Sequence, residues 1–197
     1  MAESSVFDLK AQYAQYGEYH SNPVNIVSHQ IFVPSILWSS FGFLYLTGPL
    51  FPTPVAVHNF FASTFGLDVT MNAGVIALVL YAGYYFMLDP IAAFLFLPIE
   101  VTLFATSNYV MSTSPNGLAI VAAVYVTSWV VQVAGHYVFE KRAPALLDNL
   151  LQAFAMAPFF VFLELLFMLG YRPELQKEVH AQVTQRVQAF RAKQKLQ

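Results

Sequence analysis

The sequence contains no cysteine, which excludes thiolate metal sites and disulfides. It is also poor in charge. Only 10% of its 197 residues are Asp, Glu, Lys or Arg, against about 25% in an ordinary soluble domain. Cations are missing altogether between Lys10 and Lys141, and no soluble fold of this size would leave so much surface without one. The formal charge is −2 with no basic patch, which excludes an electrostatic footprint for nucleic acid. Met1 to Glu18 is polar and amphipathic, with no apolar stretch behind a basic start, so it does not read as a signal peptide. Targeting then falls to the first apolar segment itself. No internal repeat or low-complexity tract is visible.

What is present instead is apolar: 57% of the residues are hydrophobic and the mean hydropathy is +0.55. Uncharged or nearly uncharged runs of about 17–25 residues mark candidate membrane spans. There are five: Val24–Thr47, Asn72–Leu88, Ile91–Met111, Leu118–Phe139 and Leu150–Leu169. Backbone groups in hydrocarbon must be satisfied within each segment, so each reads as a helix. The fold class expected is all-α, a polytopic membrane helical bundle forming one integral domain over 1–197. Residues 1–22 form an interfacial segment, 23–170 the spans and 171–197 a polar C-terminal helix. Asp89-Pro90 reads as an N-cap followed by proline at the first helical position. Pro49, Pro52 and Pro54 break the chain before a short helix, Val55–Phe65, that is not expected to cross. Arg172 and the tail beyond it carry six of the nine cations.

Three sets of residues are capable of chemistry. The first is His20 in Tyr19-His20-Ser21-Asn22-Pro23-Val24-Asn25, with His29 one turn beyond Asn25 on the same helix face. The second is His136 with Glu140, also one turn apart. The third is the acids in or beside apolar runs: Asp89, Glu100, Asp148 and Glu164. Ionisable groups there are expensive and commonly mark a site. With five spans and a non-crossing Val55–Phe65, the start of the first span, Asp89 and the end of the fourth share a membrane side. His29 then lies about 9 Å inside the first span and His136 at a similar depth in the fourth. His20, His29 and His136 meet at one level, with Glu140 and Asp89 nearby.

Three imidazoles, or two with a carboxylate, suit iron, zinc or copper. The lack of cysteine and the oxygen-rich surroundings fit a non-haem iron(II) centre. Asn25 and Glu140 would orient the imidazoles. The plainer readings stand beside these. His58 and His180 read as interfacial hydrogen-bonding residues, Glu100 and Glu164 as acids paired inside the bundle, and Lys141-Arg142 as interface anchors. Competing functions are a non-enzymatic membrane scaffold with histidines as hydrogen-bond glue, and a haem-binding electron carrier with paired axial histidines. A di-iron desaturase would need HxxxH and HxxHH boxes, and none of the five histidines forms one.

Two blocks resemble a known family. Tyr19 to Asn25 with His29, and Gly135-His136 through Glu140-Lys141-Arg142-Ala143-Pro144 to Leu150, are similar to the fungal 2-hydroxy fatty acid dioxygenases of the endoplasmic reticulum. Ala157-Pro158-Phe159-Phe160 leading to Glu164 continues the likeness, which runs from about Phe7 to Pro173 and is loosest between Gly48 and Leu118. One departure is Ser21, where the yeast pattern has a second histidine. The resemblance implies a multi-pass enzyme of the endoplasmic reticulum membrane using Fe(II) and O2. Its partners would be a long-chain 2-hydroxy fatty acid and the lipid bilayer. The acid loses one carbon as CO2, the α-oxidation step of phytosphingosine breakdown. It further implies that His20, His29 and His136 hold the metal, that Glu140 and Asn25 serve the catalytic centre, and that Lys141 or Arg142 offsets the substrate carboxylate.

Overall fold

A computed structural model describes residues 5–144 and 152–194; residues 145–151, with Asp148 and the start of the last apolar run, lie outside the described residues. The described residues form helices and connecting turns, with no strand among them. In order these are α1 (Leu9–Gly17), α2 (Pro23–Tyr45), α3 (Val55–Phe65), α4 (Ala73–Leu88), α5 (Pro90–Thr113), α6 (Gly117–Gly135), α7 (Ala157–Met168) and α8 (Pro173–Gln194). A π-helical turn, His136–Glu140, extends α6, and another, Gln152–Met156, leads into α7.

The helix starts follow local chemistry. The Asn22 side chain accepts from Val24 N–H and Pro23 takes the first helical position, where its missing N–H costs nothing. Asp89 caps α5 the same way, accepting from Ile91 and Ala92 N–H ahead of Pro90. Two helices are long and apolar enough to cross a membrane: α5, and α6 with its π turn, Gly117–Glu140. The span of α3 is only about 16 Å. Its flanks also meet each other, Leu50 N–H donating to Met71 O and Thr53 Oγ to Val69 O. The segment therefore leaves and returns at one end of the bundle.

Helix α2 is the centre of the bundle, packed against α5 and most extensively α6. It runs antiparallel to α6: His29 lies beside His136, while Phe43 meets Tyr125 at the other end. Gly42 permits the close approach, since a methyl group there would lie 2.7 Å from Val121 Cγ2 and 2.9 Å from Ser107 Oγ. Ala73 N–H donates to Thr47 Oγ, so α4 starts where α2 ends and finishes at the histidine end.

The last apolar run behaves differently from a simple fifth crossing. Pro144 and Arg142 stand at the histidine end. Ten residues on, the carbonyls of Phe154 and Ala155 accept from Tyr81 and Tyr85 of α4, part-way down the bundle. Helix α7, about 18 Å long, then climbs back. Its exit is tied to the α4–α5 corner by Arg172 Nη1 on Asp89 Oδ2 at 2.7 Å and Tyr171 Oη on Asp89 Oδ1 at 2.9 Å. Gly170, at φ +88°, makes the turn that this requires. The segment thus enters and leaves at the same end, and α8 folds back over α1 through Lys10–Glu178 and Arg186–Glu18. Asp89 is occupied by this corner and not by the histidines.

Candidate metal centre

His20 follows α1, His29 lies in the second turn of α2, and His136 ends α6. Two consecutive elements and one far along the chain thus deliver one imidazole each. The ring centroids are 4.3 Å apart for His20–His29 and 4.9 Å for each pair with His136. One ring nitrogen from each lies within 4.8 Å of the others. His29 and His136 are buried, and His20 half-buried.

The hydrogen bonds decide which nitrogen each ring presents. His29 Nδ1 is 2.8 Å from Asn25 O and His20 Nδ1 is 2.7 Å from Tyr16 O. A carbonyl can only accept, so both Nδ1 atoms carry the proton and both Nε2 atoms keep a lone pair. His136 Nδ1 is buried without a hydrogen-bond partner. Burial, then the neighbouring rings of His29 and His136, hold His20 well below the usual imidazole range, so it stays neutral. Three neutral imidazoles converging with open nitrogens, one of them orphaned, fit a divalent metal ion and leave it open to further ligands.

Glu140 holds this arrangement together. Its Oε1 accepts from Ser21 N–H (2.7 Å), Asn22 N–H (2.8 Å) and Asn25 Nδ2 (3.1 Å), and its Oε2 from Ser21 Oγ (2.8 Å). A carboxylate at the N-terminus of α2 also suits the helix dipole. The π turn carries it there from His136, one turn upstream. Asn25 acts twice, through its carbonyl on His29 and its amide on Glu140. Gly135 has no room for a side chain, because a methyl group would sit 2.5 Å from Asn25 Oδ1. Ser21 faces Glu140, so it does not stand in for a ligand.

The histidines close one end of an apolar cavity of about 70 Å³. From His29 its wall follows α2 through Val33, Ile36 and Leu37 to Ser40, with Trp129 and Val133 of α6 opposite. That is about 16 Å along the helix axis. Arg142 and Lys141 are not among the lining residues. The Arg142 guanidinium is clamped: Nη1 donates to Glu18 O and Nη2 to Glu18 Oε1, and the group lies over the Tyr19 and Phe190 rings. Its charge still reaches His20 as a minor influence. Lys141 is exposed at the end of the π turn, with φ +55°. Glu164 accepts from Tyr13 Oη, and His58 lies 3.4 Å from Asp68, outside the site.

Sequence reasoning missed Tyr16. Its carbonyl sets the His20 tautomer and its ring stacks on His20 at 4.0 Å. The four-residue spacing of the two was the available signal. Gln132 and Trp129, one and two turns before His136, were also missed.

The described residues form a helical protein in which three histidines able to hold a metal ion stand at the head of an apolar cavity. The family model described as 2-hydroxy-palmitic acid dioxygenase Mpo1-like matches residues 6–169, and the chain belongs to that family. The 2-hydroxy-palmitic acid dioxygenase MPO1 of Saccharomyces cerevisiae is 33% identical over 171 residues, covering 87% of each chain. No solved structure matches. Helix α8 begins beyond the last residue of the family match.

Proposed function

We propose that the protein is an iron(II)-dependent dioxygenase that shortens long-chain 2-hydroxy fatty acids by one carbon. The overall change is a 2-hydroxy acid plus O2 giving the shortened acid, CO2 and water, which balances without a second organic reductant. The observation that carries this reading is the convergence of His20, His29 and His136 at the head of an apolar cavity, in a chain related to a 2-hydroxy-palmitic acid dioxygenase. When bound, iron(II) supplies coordination for the carboxylate and hydroxyl oxygens of the substrate and the redox chemistry that O2 needs.

The chain's own residues do the rest. The carbonyls of Tyr16 and Asn25 keep His20 and His29 in the tautomer that offers Nε2. Glu140 and Asn25 fix the start of α2 against the end of α6, setting the distance between His29 and His136. The α2–α6 cavity takes the acyl chain and keeps water away from it. Lys141 and Arg142 contribute positive potential beside the site, favouring an anionic head group. We place the protein in the endoplasmic reticulum as a multi-pass enzyme of phytosphingosine degradation, with α2, α4, α5 and α6 as its crossing segments.

The test combines metal content with turnover. Purified wild type should hold iron at about one ion per chain and convert 2-hydroxypalmitate in an O2-dependent manner, and His29→Ala should lose both. Iron-depleted protein that turned over at the full rate would sink the proposal. A Soret band in purified protein would move the assignment to a haem carrier.

A further inference from the structure

A second cavity also borders His20. It measures about 350 Å³, is open to solvent on one side and is bounded by α1, the start of α2, α7 and α8. His20 lines both cavities, whereas His29 and His136 line only the apolar one. The two differ in character. The second is walled by Ser21, Glu164, His180, Thr184, Gln188 and Arg191 as well as aliphatic groups. A polarity boundary therefore runs through the metal centre itself. An amphiphile bound at that centre with its tail along α2 meets this polar chamber with its head.

Two side chains of opposite charge line the chamber, Glu164 and Arg191, and the guanidinium is the one that can receive an anion. Glu164 already receives the Tyr13 hydroxyl proton as a hydrogen bond. Arg142, Arg172 and Arg186 each have a carboxylate partner within 3.3 Å. Arg191 has none among the described residues; its recorded polar contact is Nη2 to Ser21 Oγ at 3.4 Å. Ser21 adjoins His20, so this guanidinium stands at the chamber wall next to a metal-binding histidine. A planar guanidinium pairs with a carboxylate through two parallel N–H···O bonds.

From this, and resting on the dioxygenase reading above, we infer that the chamber between α1 and α8 receives the carboxylate end of the substrate, with Arg191 as its docking residue. The occupant is a free acid anion. Helix α8 is thereby part of the binding site although it lies outside the residues shared with the family. Gly17 lets α8 come this close, since any side chain there would collide with Val183.

The lack of cysteine makes a direct test clean. Thr184→Cys puts a single thiol in the chamber wall. In metal-free, detergent-solubilised protein, 2-hydroxypalmitate should slow its reaction with a maleimide at least fivefold, and the methyl ester of the same acid should not. Adding Arg191→Gln should remove the protection, and Arg191→Lys should restore part of it. In the iron-loaded enzyme without the cysteine, Arg191→Gln should raise KM about tenfold and leave kcat near wild type. Labelling that ignores the acid, equal protection by acid and ester, or an unchanged KM in Arg191→Gln would each overturn the inference. Because labelling uses metal-free protein, it judges the chamber even if turnover were absent, while loss of turnover in His29→Ala with an unchanged Arg191→Gln would spare the dioxygenase reading alone.

Discussion

Glu140 receives four hydrogen bonds from three residues, Ser21, Asn22 and Asn25, and none of them comes from His136. Both oxygens are engaged, which makes it a group that positions α2 and the residues around His20. A group moving protons would need an oxygen aimed at the cavity. Glu140→Ala leaves two backbone N–H groups without their acceptor, so it should lower iron affinity about 10–100-fold and stability by roughly 2–4 kcal/mol. Glu140→Gln keeps one oxygen for the three Oε1 donors, and the Ser21 hydroxyl can turn to accept from the new amide. It should therefore retain most iron and most turnover. Iron binding with turnover abolished in Glu140→Gln would instead make Glu140 a proton carrier.

At the scale of elements, the informative piece is α7, which returns to the histidine end. Its sequence is as apolar as the spans, and nothing local distinguishes a helix that crosses from one that dips in and returns. The distinction lies in Asp89, buried at 2% exposure and bonded to Arg172, Tyr171 and two N–H groups of α5. Asp89→Ala removes a cap, worth about 1 kcal/mol, and a charge-assisted anchor, worth about 1.5–3 kcal/mol. Arg172 is half exposed and can return to water, which limits the loss. A drop in denaturation midpoint equivalent to about 2–4 kcal/mol is expected, together with faster proteolysis near Gly170. Unchanged cleavage there would mean that α8 is held by its α1 contacts alone.

For the whole molecule, the return of α7 to the histidine end gathers the charges. Lys10, Arg142, Arg172, Arg186 and Arg191 all lie at the histidine end, the last two because α8 folds back onto α1. For a membrane-spanning bundle, the positive-inside rule favours that end, with the histidine cluster, as the cytosolic one. In sealed microsomes, an impermeant maleimide should label Ser5→Cys and Gln185→Cys, and should reach Asn116→Cys only after detergent. The reverse pattern would place the site in the lumen. Labelling of Ser5→Cys with a protected Gln185→Cys would restore a fifth crossing.

Much of this protein was legible before any coordinates. Helix limits came from apolar runs bounded by Asn22-Pro23 and Asp89-Pro90, because a cap and a proline act within one turn. Asn25 with His29, and His136 with Glu140, were visible as pairs because helical spacing puts them on common faces. The meeting of His20, His29 and His136 also followed, from the parity of the connections. Other features had no local signature. Asp89 could be seen as costly but not as the anchor of Arg172, since that partner is 83 residues away. The returning path of the last apolar run, the carbonyl that Tyr16 offers to His20, and the chamber beneath α8 depend on contacts between distant elements. Hydropathy and periodicity report only what a segment prefers, so they settle which residues enter the bundle. Which end each segment leaves by, and what it then covers, was decided by long-range packing and ion pairing.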